Sequence, residues 1–196
     1  MPDSSKIYAS NLLHHSLSVL DGHSGALLST INLIENYNPI SGEITGPVGV
    51  LPIQTPVSPD GKAVVLAATG GQILIIDTKT DSIVKMFACD AGCHGANFGA
   101  KKDGGYYAYV TSKFSNRVIV VDPDPNNDGD LSDADIVGSI SLVAGDKVAK
   151  DDTISSLAGY GGQGIVALPN VYNGWVQNLT SEWASGLTSQ QRNPVQ

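Results

Sequence analysis

The hydrophobic and polar positions of this chain repeat one pattern three times over residues 6–142. Each repeat holds three runs of about six residues that are rich in β-branched and aromatic side chains, and polar turns separate the runs. The runs cover residues 6–11, 16–21 and 25–31, then 63–68, 72–77 and 81–86, then 106–111, 117–122 and 135–140. An aspartate ends each middle run (Asp21, Asp77 and Asp122), and these aspartates are 56 and 45 residues apart. A four-stranded repeat unit needs about 40–50 residues. The pattern predicts an all-β chain.

A fourth run precedes the second and third trios, at residues 53–58 and 96–100, and hairpin turns follow it at residues 59–62 and 102–105. Four-stranded antiparallel units of this length are the blades of β-propellers. The predicted blades cover residues 6–46, 47–88 and 91–145. No inner strand precedes Lys6, and known rings have four or more blades, so we expect an incomplete ring.

Two C-terminal segments bear on this open arc. Residues 164–168 are apolar and follow a glycine-rich stretch, which predicts a strand that closes blade one. Residues 171–196 form the predicted tail, with a short helix at residues 181–187 capped by Thr180 and with Trp175 and Trp183. We expect this tail to cover an open face.

The turn Ser58-Pro59-Asp60-Gly61-Lys62 and the strand pair Tyr109-Val110-Thr111-Ser112 and Ser115-Asn116-Arg117-Val118-Ile119-Val120-Val121-Asp122 resemble the YVTN family of β-propeller repeats. The resemblance covers residues 6–142 and implies blades of a larger propeller. Such propellers serve as surface proteins, binding scaffolds and parts of redox enzymes, so the resemblance alone names no activity.

Composition narrows the function classes. Hydrophobic residues make up 41% of the 196 residues, charged residues 15%, and the net charge is −8. This charge argues against nucleic acid as a partner. No apolar run reaches 18 residues, so no membrane span is expected. The first five residues have neither a basic nor an apolar region, so no secretory signal is visible.

The clearest chemical motif follows the middle strand of blade three, at residues 124–135. An EF-hand loop supplies calcium ligands at positions 1, 3, 5, 7, 9 and 12 and has glycine at position 6. Those ligand positions are Asp124, Asn126, Asp128, the Asp130 carbonyl, Ser132 and Asp135, and Gly129 takes position 6. The spacing resembles the dockerin calcium loop, although strands rather than helices flank it. It predicts a structural calcium site that links two strands, and the alternative is a solvated acidic turn.

Cys89, Cys93 and His94 lie on the connection between blades two and three. Three interpretations are open besides an inert pair of buried cysteines. They are a local disulfide in an oxidising compartment, a copper or other transition-metal site, and covalent haem attachment, whose usual C-x-x-C-H signature has one residue fewer.

The remaining motifs are less informative about function. His14 and His15 occupy a hairpin of blade one and indicate an exposed turn, or a metal site if His94 or another chain lies nearby. His23 indicates an ordinary turn. Residues 178–180 match a glycosylation sequon, but matches to this triplet are common by chance. Tyr106, Tyr107 and Tyr109 indicate strand packing.

Two functional hypotheses follow. The first is a non-catalytic, extracellular or periplasmic binding or assembly module, stabilised by calcium and completed by self-association or by a larger propeller chain. The alternative is a redox or metal-dependent enzyme subunit, with copper or haem, that uses the Cys89, Cys93 and His94 loop.

Overall fold

A computed structural model describes residues 1–90, 92–102, 104–142, 162–167 and 181–192. Eleven strands in this part of the chain form three sheets. The strands are β1 (Lys6–Asn11), β2 (Ser16–Asp21), β3 (Leu27–Asn32), β4 (Pro52–Gln54), β5 (Ala63–Ala68), β6 (Gln72–Asp77), β7 (Ser82–Ala88), β8 (Cys93–Ala100), β9 (Tyr106–Ser112), β10 (Arg117–Asp122) and β11 (Asp135–Ser141). Two helices, α1 (Ser181–Ser185) and α2 (Ser189–Arg192), follow in the tail.

Each sheet is an antiparallel meander of strands consecutive in sequence. Strands β4 to β7 form blade two and strands β8 to β11 form blade three, which confirms the predicted four-stranded blades. Within the described residues, blade one has the three strands β1, β2 and β3. In all three blades the pairing of the two outer strands shifts register at the two residues before the marker aspartate, between Val19 and Leu20, Ile75 and Ile76, and Val120 and Val121. The repeat therefore includes a β-bulge that the strand pattern alone does not predict.

Blade two lies between its neighbours, and both faces of its strands β5 and β6 are buried. Val64, Leu66, Ala68, Leu74 and Ile76 pack in a cluster with Leu17 and Val19 of blade one. The alternate residues Ala63, Val65, Ala67, Ile73 and Ile75 pack with Phe98 and Val110 of blade three. Because successive strand residues face opposite sides, burial on both sides requires the continuous apolar runs of β5 and β6.

Residues 162–167 lie against blade three. The Gln163 carbonyl is 2.7 Å from His94 Nδ1, and the Ala167 amide is 3.5 Å from Asn97 Oδ1. Glycines make room for this approach, since a Cβ on Gly95 would lie 2.9 Å from the Gly164 Cα. The prediction placed residues 164–168 beside blade one as a strand. The structure instead has residues 164–167 without strand pairing beside β8, and Leu168 lies outside the described residues.

The described part of the tail lies over the β8–β9 turn. Gln191 of α2 is buried, and its Nε2 donates to the carbonyls of Lys101 and Gly105 at 2.8 and 2.7 Å. Trp175, the sequon at residues 178–180 and the Trp183 side chain lie outside the described residues. No helix in the described ranges is long and apolar enough to cross a membrane.

Candidate functional site

A buried ion pair fixes the start of the β10–β11 loop. Lys101 and Asp122 side chains are 8% and 7% exposed, and Lys101 Nζ donates to both Asp122 carboxylate oxygens at 2.9 and 3.0 Å. The same ammonium donates to the Asp124 carbonyl at 3.0 Å. Since an ammonium has three protons, all its donors are used at the base of the loop.

Side-chain oxygens fold back onto the backbone along the loop. Asn126, Asp128 and Asp130 each accept a hydrogen bond from the amide two residues further on, at 3.1, 2.8 and 2.9 Å. Asp124 Oδ2 accepts the Gly129 amide at 3.0 Å. Gly129 has a φ of +89°, which a side chain would strain. The predicted position of glycine in the loop is therefore one where the backbone needs it.

The far half of the loop is pressed onto the blades. A 3₁₀ turn at Leu131–Asp133 follows Asp130, and Leu131 and Ala134 are buried in the core between blades two and three. From β7 of blade two, Lys85 Nζ donates to the Ser132 carbonyl at 3.0 Å. The loop therefore contacts both blades as well as linking β10 to β11.

Two carboxylate oxygens of this loop, Asp124 Oδ1 and Asp133 Oδ1, are buried and have no hydrogen-bond partner in the described part of the chain. Partial burial raises the pKa of Asp133, and the negative charges of Asp128, Asp124 and Asp130 raise it further. A hard cation would satisfy both oxygens and offset this repulsion, so the all-oxygen donor set fits calcium. Across the described residues, no three His, Cys, Asp or Glu side chains already converge as a metal site, so calcium would have to draw these ligands together.

A cavity of about 260 Å³ lies beside the loop, between the β4–β5 turn and α2. Asp124 and Asn127 line it, together with Lys62 and Gln191. An ion therefore has a solvent path to the first position of the loop.

Cys89 and Cys93 form a disulfide, with Cα atoms 5.9 Å apart. This is one of the interpretations left open by the sequence. In the bonded form neither sulfur supplies the thiolate that copper binds, nor the thiol that attaches haem. Those two interpretations stay predictions that need the reduced protein.

The disulfide-bonded loop also carries a buried carboxylate. Arg117 donates to both Asp90 oxygens at 2.7 Å, and Ser115 Oγ donates to Asp90 Oδ2 at 2.7 Å. The hydrogen bonds to Asp90 raise the pKa of Arg117. This cluster fastens the connection between blades two and three to the β9–β10 turn. Asp90, Arg117 and Lys101 were missed as site residues by the sequence analysis, and the available signal was an aspartate inside a short cysteine loop.

His94 is half-buried and is the first residue after Cys93. A carbonyl oxygen only accepts hydrogen bonds, so the Gln163 carbonyl requires the proton on His94 Nδ1. In the neutral ring, Nε2 then carries the free lone pair. Metal-binding histidines are commonly oriented in this way.

The predicted sites do not meet. Cys93 begins β8 and Lys101 follows its end, so the disulfide and the acidic loop lie at opposite ends of an eight-residue strand, roughly 25 Å apart.

In blade one, His14 Nδ1 lies 2.9 Å from Ser16 Oγ, and His15 Nδ1 accepts a hydrogen bond from the Leu51 amide at 3.1 Å. His14 thus has a partner in its own hairpin, and His15 has one in the segment that precedes β4. The His23 amide donates to Asp21 in an ordinary turn.

No family model matches this chain, and no curated protein matches it. Similar solved structures include the RRP9 WD40 repeats and U3-55K, each 18% identical with a TM-score of 0.52 over 71% of this chain. The fold is a partial β-propeller. The chain covers 36% and 37% of those two structures. The dihydro-heme d1 dehydrogenase NirN in complex with DHE also matches, at 18% identity and a TM-score of 0.47, over 71% of this chain and 25% of that one.

Proposed function

We propose that this propeller arc is a non-catalytic binding and assembly module, that calcium in the β10–β11 loop stabilises it, and that a second copy of the chain covers its open side. The observation that carries the assembly part is the free edge of the blade-one sheet. Strand β1 pairs only with β2 among the described strands, so its other edge has no strand partner within the described residues.

The sheet face next to that edge is apolar. Ile7 pairs with Leu20, and Leu20 pairs with Leu27, so the three side chains form one row across the blade. Ile7 is 47% exposed and Leu27 is 61% exposed. In blade two the residues at the positions equivalent to Ile7 and Leu20, which are Val64 and Ile76, are buried against blade one. An apolar face beside an open strand edge is a surface that a further blade would cover.

Self-association is tested by light scattering on the whole chain over a range of concentrations. We expect an oligomer that Leu27→Arg converts to monomer. Leu13→Arg is the matched control, because Leu13 is 83% exposed in the β1–β2 hairpin and lies outside the row. A wild-type protein that stays monomeric at every concentration would contradict the self-association.

Calcium is proposed from the loop's donor set and its two unsatisfied carboxylate oxygens. An ion there would join β10 and β11 to the 3₁₀ turn packed on blade two. At calcium concentrations 100 times Kd, binding stabilises the folded state by about 2.7 kcal/mol. For a chain of this length that raises Tm by roughly 5–11 °C.

The calcium test compares thermal melts of calcium-loaded protein with and without excess chelator. We expect the chelator to lower Tm, and Asp128→Asn to abolish most of the difference. Asp21→Asn is the control, since Asp21 starts the corresponding turn of blade one. Loaded protein whose Tm is the same in chelator would exclude the calcium role.

Extracellular or periplasmic location belongs to the same proposal. Support comes from the Cys89–Cys93 disulfide, since such bonds persist in oxidising compartments and are rare in reducing ones. Thiol labelling of protein taken from its native source, without reduction, tests this. Labelling of both cysteines would contradict it.

A second candidate function is a redox or metal-dependent enzyme subunit. The observation that favours it is His94, whose Nδ1 proton is held by a carbonyl while Nε2 is left for a ligand. After reduction of the disulfide, Cys89 and Cys93 would supply thiolates for copper or thiols for haem. Metal analysis and visible absorbance on one sample decide between the candidates, because stoichiometric copper or haem iron favours the enzyme and calcium alone favours the module.

A further inference from the structure

We infer that residues 162–167 of one copy supply the inner strand of blade one in a second copy, and that two copies close a six-blade ring. This inference rests on the self-association proposed above and specifies which segments meet. Among the described residues blade one has no inner strand, whereas blades two and three begin with β4 and β8. The position of a missing inner strand can be read from the two joints between blades that the structure contains.

At both joints the inner strand of the later blade lies beside the first strand of the earlier one. Between blades one and two, Ser10 Oγ on β1 donates to the Ile53 carbonyl on β4 at 3.1 Å. Between blades two and three, the Ala96 amide on β8 donates to Gln54 Oε1 on β4 at 2.8 Å. An inner strand is therefore held by the blade before it as well as by its own sheet.

Residues 162–167 lie against blade three in the same way. The Ala167 amide is 3.5 Å from Asn97 Oδ1, so a side-chain amide oxygen of β8 again faces the backbone amide of the segment that follows. At the other end of the segment, a Cβ on Gly162 would lie 2.9 Å from Thr111 Cγ2 on β9. The segment thus lies along the first two strands of blade three.

The segment covers the face of blade three that is turned away from blade two. Phe98 on β8 is buried in the core shared with blade two, so its neighbour Gly99 faces the other side. A Cβ on Gly99 would lie 2.8 Å from the Ala167 Cβ. Tyr109 on β9 shares this face and is only half-buried. Residues 162–167 therefore occupy the place in which a following blade packs.

Blade one has the complementary surface. Tyr8 packs toward blade two, so Ile7 faces away from it, and Ile7 belongs to the exposed apolar row described above. The free edge of β1 lacks a strand beside that row. Residues 162–167 pair with no strand among the described residues, and Val166 is 76% exposed. Blade three of another copy brings both the absent strand and a face that covers the row.

The number of copies follows from the number of blades. In one chain, blade two separates blade one from blade three, so the two open ends do not meet. Propeller rings typically have about four to eight blades. Each copy has three blades in its described residues, so two copies fall within that range and three copies exceed it. The joint is head-to-tail, and such joints form closed rings when the rotation between copies permits.

Cross-linking between single-cysteine variants of the whole chain tests the strand assignment. Ala9→Cys lies in the middle of β1 and Val166→Cys lies in the segment, while Cys89 and Cys93 are bonded to each other and do not react with a maleimide. One variant carries a size tag. The two are mixed, dissociated by dilution, reassociated and treated with a short bis-maleimide. We expect a covalent product with one chain of each variant, because neighbours on paired strands lie roughly 4.5–8 Å apart.

Leu28→Cys is the matched control for Ala9→Cys. Leu28 is 53% exposed on β3 of the same blade, two strands from the free edge of β1. With Val166→Cys it should give at least about tenfold less mixed product, since each strand adds roughly 4.8 Å of separation. Equal yields from Leu28→Cys and Ala9→Cys would overturn the assignment, as would cross-linking of Ala9→Cys chains only to each other.

Native mass spectrometry of the wild-type chain counts the copies. We expect a dimer that does not grow into larger species as the concentration rises, and a series of larger species would overturn the two-copy ring. A wild type that is monomeric at every concentration refutes the proposed self-association and this inference together. A dimer without the mixed product of Ala9→Cys and Val166→Cys refutes this inference alone.

Discussion

The buried pair of Lys101 and Asp122 offers the sharpest test of what holds blade three together. The perturbation is Lys101→Met, which keeps most of the side-chain volume and removes the ammonium. That ammonium donates three hydrogen bonds, two to Asp122 and one to the Asp124 carbonyl. After the change, the Asp122 carboxylate stays buried without its counter-ion.

The expected cost follows from the burial of both partners. Breaking a buried ion pair by removing one member costs about 3–5 kcal/mol, because a charge is left uncompensated in a medium that solvates it poorly. The free energy of unfolding of an ordinary domain is about 5–15 kcal/mol, so this loss is a large fraction of the total. It lowers Tm by roughly 6–20 °C for a chain of this length.

Urea unfolding at equilibrium measures the loss, and an unchanged m-value shows that the variant unfolds from the same compact state. Lys62→Met is the matched control. Lys62 is 52% exposed and its Nζ lies 3.9 Å from Asp60, so its loss should cost less than about 1 kcal/mol.

A double variant separates the pair's own energy from other effects. Lys101→Met with Asp122→Leu removes both charges, so it should lose much less than the sum of the two single variants. A loss below about 1 kcal/mol in Lys101→Met, or strict additivity in the double variant, would refute the reasoning.

Three further predictions concern the joints between blades. Replacing both Cys89 and Cys93 by alanine opens a loop of about five residues and should cost about 2 kcal/mol in chemical unfolding, whereas an unchanged midpoint would mean that the bond constrains nothing. Arg117→Lys loses the two-oxygen contact with Asp90 and should cost roughly 1–3 kcal/mol by the same assay, and a neutral result would show that a point charge suffices. Burial, then the hydrogen bond to Asp81, raise the pKa of Tyr8 above its usual 10.0, so this contact stabilises the protein below about pH 10 and is lost as the pH rises further. Tyr8→Phe should therefore be less stable than wild type at neutral pH and lose less stability above pH 10, and parallel pH profiles for the two proteins would contradict this.

Much of the fold could be predicted because its signals are local. Each of these signals spans only a few residues. They are the strand pattern, the recurrent aspartate and the turns with glycine or proline. The continuous apolar run of β5 is an example, since a strand between two blades needs apolar residues on both sides. The acidic loop was predicted for the same reason, and Gly129 does adopt the positive φ that its position requires.

Contacts between distant segments were beyond such reasoning. Whether residues 162–167 lie beside blade one or blade three depends on where room exists, and Gly95 and Gly99 leave that room on β8. Lys101 reaches Asp122 across the sheet, from the turn after β8 to the end of β10. The spacing of charges along the chain does not encode this pairing.

The sequence by itself determined the strands, their grouping into blades, the disulfide as one open interpretation and an oxygen-rich loop. Only the tertiary structure decided which oxygens of that loop are buried and unsatisfied. The physical reason is that burial depends on what lies opposite. Leu131 and Ala134 enter the core between two blades, and Lys85 of blade two contacts the loop, so one oxygen of the Asp133 carboxylate is buried while Asp135 is held at the exposed start of β11.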